Sequence, residues 1–208
     1  MEMKKVLIIL FSLFLFITNI KAYENEIFKI NISEDYKLEE QKTENNYKWI
    51  KDNKYISISV SDNSELKYNI TKFTDEDLQK QKEYLEGSIN ENLSKYNITS
   101  EVKEIKLSED KTTLTYDIYY PSKDTIGYDI YQRGKMYTTT HYILTIIYNS
   151  DEEIKDDNQE YINLINSLTI LDDPIKEPNP MIKYYLLGGI VIVVLSFAIL
   201  LIIKKKHK

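Results

Sequence analysis

The chain has 208 residues, 33 acidic against 27 basic for a formal net charge of −6, and no cysteine. The missing cysteine excludes disulfides, thiolate metal sites, cysteine nucleophiles and a lipid-modified N-terminal cysteine. Across residues 23–182 the balance sharpens to 19 basic against 32 acidic residues, a net of −13, which argues against nucleic-acid binding because neutralising phosphates takes a basic face.

Lys4 and Lys5 precede an apolar run from Val6 to Ile17, and Thr18-Asn19-Ile20-Lys21 leads to the small Ala22. This is the tripartite pattern of a secretory signal peptide over residues 1–22. Ile20, third before the cut, is larger than usual there, so an uncleaved signal anchor is the alternative. Either reading places residue 23 onward outside the cytoplasm. Lysine almost without arginine, with abundant Ile, Asn and Tyr, marks an AT-rich genome, and a cysteine-free secreted domain from such a genome points to a Gram-positive-type bacterium.

Alternation of apolar and polar residues begins at Phe28, Ile30 and Ile32, returns at Tyr47 and Trp49, and again at Ile56, Ile58 and Val60. These predict three half-buried strands, the last two joined by a hairpin at Lys51-Asp52-Asn53-Lys54, where Asp and Asn tolerate left-handed turn geometry. Thr74 followed by Asp75, Glu76 and Asp77 has the hydroxyl and the acids that favour a helix start. Leu78, Leu85, Ile89, Leu93 and Tyr96 then fall on one stripe, predicting an amphipathic helix to about Lys95.

Val102, Ile105 and Leu107, then Leu114, Tyr116, Ile118 and Tyr120, then Tyr128 and Ile130, and a long strand from about Met136 to Tyr148 predict a four-stranded antiparallel meander. Its turns fall at Pro121-Ser122-Lys123-Asp124 and Arg133-Gly134-Lys135. Asp157 to Leu168 returns to helical spacing through Tyr161, Leu164, Ile165 and Leu168. Three of the four prolines lie at 174, 178 and 180, so residues 172–183 read as a short stiff stalk.

Tyr184 to Ile203 carry no charge, and twenty helical residues span roughly 30 Å, the thickness of a bilayer core. Lys204, Lys205, Lys206 and Lys208 follow at once, which orients residues 204–208 to the cytoplasm. Gly188 and Gly189 lack a small residue four positions on, so a small-xxx-small dimerisation face is not indicated. Glu177-Pro178-Asn179-Pro180-Met181 is not a sortase pentapeptide, so the anchor is expected to be retained. The chain is thereby expected in a cell membrane, single-pass, with residues 23–171 as one extracytoplasmic domain.

The order of elements, with "FKINISEDYKL" near the start, "FTDEDL" opening the first helix and "EYINLINSLTI" at the end, resembles the PsbP-like fold. That fold is shared by the extrinsic subunit of photosystem II, a Ran-binding nuclear import factor and bacterial envelope proteins. The resemblance spans roughly Ile27 to Ile170. It implies an α+β domain, an α/β/α sandwich with a mainly antiparallel six- to seven-stranded sheet and two principal helices, and a binding role. It transfers no functional residue. Its bacterial relatives are often lipid-anchored, whereas this chain uses a helix.

His141 is the one histidine before the tail, and a triad around it would need a hydroxyl and a carboxylate brought in by the fold. No nucleophile elbow or glycine-rich phosphate loop accompanies it, so no catalytic, cofactor-binding or metal-ligating residue is assigned and the chain reads as a non-enzyme. Asp151, Glu152, Glu153, Asp156 and Asp157 lack the spacing of a calcium loop and read as a solvated helix N-terminus. The residues that most resemble a binding surface are Asp117, Tyr119, Asp129, Tyr131, Arg133, Tyr137, Thr139 and His141, at alternate positions of three meander strands. They share one sheet face if Arg133-Gly134-Lys135 is a three-residue loop, since a one-residue slip sends the last strand's set to the other side. The contrasting reading is a tyrosine-rich sheet face partly covered by the last helix.

These readings converge on a membrane-anchored binding or accessory domain acting on a protein or cell-wall partner. The alternative is a ligand- or ion-sensing envelope module working through a partner. A hydrolase would require a deep cleft placing His141 beside a hydroxyl and a carboxylate.

Overall fold

The computed structural model describes residues 20–39, 45–64, 69–96 and 98–173. The predicted signal peptide up to Asn19, the stalk beyond Asp173, the transmembrane stretch and the basic tail lie outside the described residues. Among the described residues no helix is long and apolar enough to cross a membrane. The described residues divide into two compact units, one of 20–37 and 157–171, the other of 38–156 and 172–173.

In the first unit, β1 (Ile20–Glu24), β2 (Phe28–Ser33) and β10 (Thr169–Ile170) form a three-stranded antiparallel sheet with β2 in the middle. The alternation of Phe28, Ile30 and Ile32 is realised as expected, with all three side chains buried. Their strand belongs to this separate sheet, and β1 runs through Ala22, where the sequence places the end of the signal peptide. The unit's helix α3 (Gln159–Ser167) is capped by Asn158, whose side-chain oxygen accepts the Tyr161 N–H at 2.9 Å. Ser167 at its end bonds the backbone of Asn31.

The second unit is built on a seven-stranded sheet in the order β3 (Lys37–Leu38), β4 (Asn46–Lys51), β5 (Lys54–Asp62), β9 (Tyr142–Ser150), β8 (Ile130–Thr138), β7 (Thr113–Tyr120) and β6 (Glu101–Leu107). Every register recorded between these strands is antiparallel. The hairpin between β4 and β5 turns on Asp52 and Asn53, with Asp52 at φ 49°, as the Asp-Asn pair predicts. The mixed α+β class with one large antiparallel sheet and few helices is therefore the observed one.

Helix α1 (Asp75–Leu93) begins where the Thr74 signal predicts, closed by a reciprocal capping box in which Thr74 and Asp77 satisfy each other's backbone N–H groups. Its stripe delivers Leu85, Ile89 and Leu93 into a core with Val102, Leu114, Tyr116, Ile118, Met136, Ile143 and Ile147. Each such Leu or Ile contributes roughly 1.5–3 kcal/mol by leaving water. A polar row of Tyr120, Gln132, Asn149 and Tyr55 crosses four adjacent strands inside the unit, joined by a Tyr120 hydroxyl to Gln132 bond of 3.3 Å. Burial pushes the hydroxyls of Tyr55 and Tyr120 well above the ordinary phenol range.

Three local expectations are corrected. Arg133-Gly134-Lys135 is the middle of β8, and the turn to β9 lies at Thr139–His141, inside the stretch read as one long strand. Glycine is required at 134 by a close approach, because Tyr116, its cross-strand partner, lays its ring over it. The Pro121–Asp124 turn contains a short helix, α2 (Lys123–Ile126), ended by Gly127 at φ 95°. The acidic run at Asp151–Asp157 is largely exposed, as expected, but lies before α3, which starts at Gln159; Asp151 accepts the Asn53 side-chain amide at 2.9 Å.

Candidate functional site

Because β8 is continuous, its odd-numbered residues all point to one face, and the register with β7 sets them directly opposite odd-numbered partners. Tyr119 faces Tyr131, Asp117 faces Arg133, and Thr113 faces Tyr137. Five of the eight residues singled out, Asp117, Tyr119, Tyr131, Arg133 and Tyr137, are thus brought together. The reason differs from the expected one, since strand pairing rather than a three-residue loop aligns them.

Arg133 is held by both ends of its guanidinium. Its Nε donates to Asp117 Oδ1 at 2.7 Å and its Nη2 to Asp117 Oδ2 at 2.6 Å, while Nη1 reaches Asp156 Oδ1 at 3.0 Å. The planar fork makes this bidentate pair more directional than a lysine contact would be. Beside it the rings of Tyr119 and Tyr131 lie 5.1 Å apart at 34°, and Lys103 from β6 sits 5.3 Å from the Tyr119 ring centre. Lys135 takes the same position over Tyr137 at 5.3 Å. Burial pushes the Tyr137 hydroxyl up to about 12 and lowers the Lys135 ammonium. The result is a half-buried ladder of aromatic rings and cations with a fixed arginine at its centre.

Asp129 closes one end of this ladder. Its Oδ2 accepts the Tyr119 hydroxyl at 3.1 Å, and its Oδ1 accepts the backbone N–H groups of Ser122 and Lys123. Burial first, then this carboxylate, raises the Tyr119 hydroxyl above its ordinary value. Asp129 therefore shapes the β7–β8 connection as well as contacting the face.

Thr139 and His141 do not join the ladder. They belong to the β8–β9 hairpin and grip Asp172. The carboxylate takes the His141 Nδ1 at 2.8 Å, the His141 backbone N–H at 2.9 Å and the Thr139 hydroxyl. Thr140 N–H donates to the Asp173 carbonyl at 3.0 Å. From inside, fully buried Asn63 donates its side-chain amide to the Thr139 carbonyl at 2.9 Å. Burial opposes ionisation of Asp172, yet the bonds from Thr139 and His141 outweigh it and hold its carboxyl at about 2. The same carboxylate raises the His141 imidazole, with Asp173 and Asp62 adding to it.

This cluster has the acid and the histidine of a triad without its geometry. The Thr139 hydroxyl is bonded to the carboxylate and not to the far imidazole nitrogen, and the His141 side chain is 59% exposed. It works as a clasp between a hairpin and the start of the predicted stalk. Among the described residues no group of three or more His, Cys, Asp or Glu side chains is placed to hold a metal ion.

Asp156, Asp172 and Lys103 are the participants that sequence reasoning missed. Asp156 stands 23 positions from Arg133, in a run that reads as solvated acid, and Asp172 stands 31 positions from His141, in the segment that reads as a stalk. Lys103 depends on a bulge between Val102 and Glu104 that no composition rule announces.

No protein-family model and no curated protein matches the chain. Among solved structures it is similar in fold to the Ran-binding protein Mog1p of Saccharomyces cerevisiae, at 8% identity and a TM-score of 0.46, covering 74% of this chain and 97% of that one. It is likewise similar to the cyanobacterial PsbP of Synechocystis, at 9% identity and a TM-score of 0.46, covering 74% of this chain and 94% of that one. These two are the groups that the order of elements in the sequence resembles.

Proposed function

We propose that this chain is a non-catalytic binding or accessory module, held at the outer face of a membrane by the Tyr184–Ile203 stretch, that engages another protein or a wall component through the β6–β8 ladder. The observation that carries the binding role is Arg133, locked bidentately to Asp117 beside the paired rings of Tyr119 and Tyr131. Tyrosine and arginine side chains that are already ordered lose little conformational freedom on binding, which is why such residues dominate contact energies. The placement rests on the two lysine-flanked apolar stretches of the sequence.

Replacing Tyr119, Tyr131 and Tyr137 by Ala tests the face. The folded variant should lose the crosslinked partners that the unaltered chain recovers from intact cells; undiminished recovery would remove the face from consideration. The absence of native cysteine makes the topology directly testable. Glu153→Cys should react with a membrane-impermeant maleimide in intact cells, and Lys208→Cys only after lysis. The opposite labelling pattern would overturn the orientation.

A further inference from the structure

β6 is the outermost strand of the seven-stranded sheet, so among the described residues one of its edges meets no other strand. The Ser108 N–H donates to the Thr113 carbonyl at 2.9 Å, which sets the phase of the antiparallel ladder between β6 and β7. Bonded and non-bonded pairs alternate from there. Lys106 and Glu104 turn their backbone groups inward to Thr115 and Asp117, while Leu107 and Ile105 turn theirs outward. Past the bulge, Val102 faces outward as well, and there the Glu86 carboxylate accepts its N–H at 2.9 Å while Lys82 reaches the Lys103 carbonyl at 3.5 Å. Helix α1 therefore caps the first half of the edge. Among the described residues no side chain caps Ile105 or Leu107.

The uncapped half runs beside a groove of about 320 Å³ between α1 and β6, which continues along the same helix and strand into a second of about 510 Å³. Half-buried Leu78 and Ile105 give the first groove an apolar floor. Charged groups along the two grooves are Asp75, Glu83, Glu86, Glu101 and Glu104 against Lys82 and Lys103. Glu101 is paired with Lys103 at 2.5 Å and Glu104 with Lys106 at 2.6 Å, so the excess of negative charge lies on α1. An exposed strand edge with unpaired backbone groups is a template for another strand, and natural sheets leave one open only where something uses it or protects it.

We propose that the β6 edge accepts an extended basic peptide as an added strand. Its backbone pairs with the outward groups of Ile105 and Leu107, and its Lys or Arg side chains reach the acids of α1. Charge complementarity selects this occupant. A second copy would bring the same acidic groove against this one. The surface meets the tyrosine ladder at Lys103, which lines the groove and also lies over the Tyr119 ring, and it does not depend on membrane placement.

The probe is a fluorescent six-residue peptide of alternating Lys and Val, titrated against the full chain in detergent, with two controls. One is the alternating Glu and Val peptide; the other is the Lys and Val peptide with every backbone nitrogen methylated, which keeps the charge and removes the donors. The Lys and Val peptide should bind saturably, and the methylated and Glu peptides at least about tenfold more weakly, roughly 1.4 kcal/mol. Ile105→Pro should weaken binding by a similar factor, and Glu83→Lys, in the exposed middle of α1, should weaken it while leaving the melting temperature in place. Equal binding of the methylated peptide would mean charge attraction alone and overturn the proposal. Absence of saturable binding would overturn it too, as would dimerisation of the chain that Ile105→Pro abolishes. The methylated-peptide comparison needs no variant, so the test holds even if Ile105→Pro fails to fold.

Discussion

Tyr116 occupies the space that a side chain at Gly134 would need. The two residues are directly opposed across β7 and β8, and a Cβ at 134 would stand 2.0 Å from the tyrosine Cζ. Covering a strand glycine with an aromatic ring restores the burial that glycine cannot supply, and explains why a residue poor at forming strands sits in mid-sheet.

Gly134→Ala is therefore expected to destabilise the fold by about 1–3 kcal/mol through overpacking, measured by urea denaturation. Combined with Tyr116→Ala, it should cost less than the two single changes summed, because the ring that clashes is gone. A Gly134→Ala variant as stable as the parent would show that the ring moves aside freely.

Arg133 separates two carboxylates by their surroundings. Asp117 is 23% exposed and bound by two nitrogens, while Asp156 is 94% exposed and bound by one. Asp117→Asn should cost about 1.5–3 kcal/mol, the range for hydrogen bonds to charged groups, and Asp156→Asn less than about 0.5 kcal/mol. Equal costs in denaturant melts would contradict this division. Arg133→Lys should behave like Asp117→Asn, since an ammonium cannot reproduce the fork.

The clasp of His141 on Asp172 predicts a pH window. The histidine is raised by its carboxylate partner, so its contribution is complete below its ordinary value of 6.5 and is lost as pH rises through the raised one. The aspartate is lowered, so its contribution is present above 3.8 and is lost as pH falls toward about 2. His141→Gln should accordingly lower the melting temperature more at pH 5.5 than at pH 8.5. The His141 ring protons, followed by NMR, should titrate above 6.5 in the parent and return to the ordinary range in Asp172→Asn. Identical titration in both proteins would dissolve the clasp.

Thr74 offers a local test on an exposed helix end, where packing plays no part. Its hydroxyl accepts the Asp77 N–H at 3.3 Å and its own N–H donates to Asp77 Oδ2 at 3.0 Å. Thr74→Ala is expected to cost about 1 kcal/mol, and Thr74→Gly only a few tenths, by thermal or chemical denaturation. The reverse order would point to an unrelated role for the side chain.

Phe28, Ile30 and Ile32, or Ile56, Ile58 and Val60, announce half-buried strands because a pleated chain alternates its side chains whatever it pairs with. Thr74 with its acids and Asp52-Asn53 announce a helix start and a tight turn because both are made within a few residues. What failed was pairing. Gly134 looks like a turn until Tyr116 is placed over it, and the Thr139–His141 turn lacks glycine because Asp172 and Asn63 supply its hydrogen bonds. β1 and β10 gain their place from β2, which no short pattern encodes.

By itself, then, the sequence determined the class of fold, the order of the longer strands and of the two principal helices, the acidity of the domain and the residue types of the tyrosine face. Only the tertiary structure decided that Asp117, Tyr119, Tyr131, Arg133 and Tyr137 stand together, that His141 belongs to Asp172, and that half of the β6 edge meets no partner among the described residues. The first group follows from interactions among neighbours in the chain. The second depends on strand register and on contacts between residues tens of positions apart, where a shift of one residue reverses every side chain.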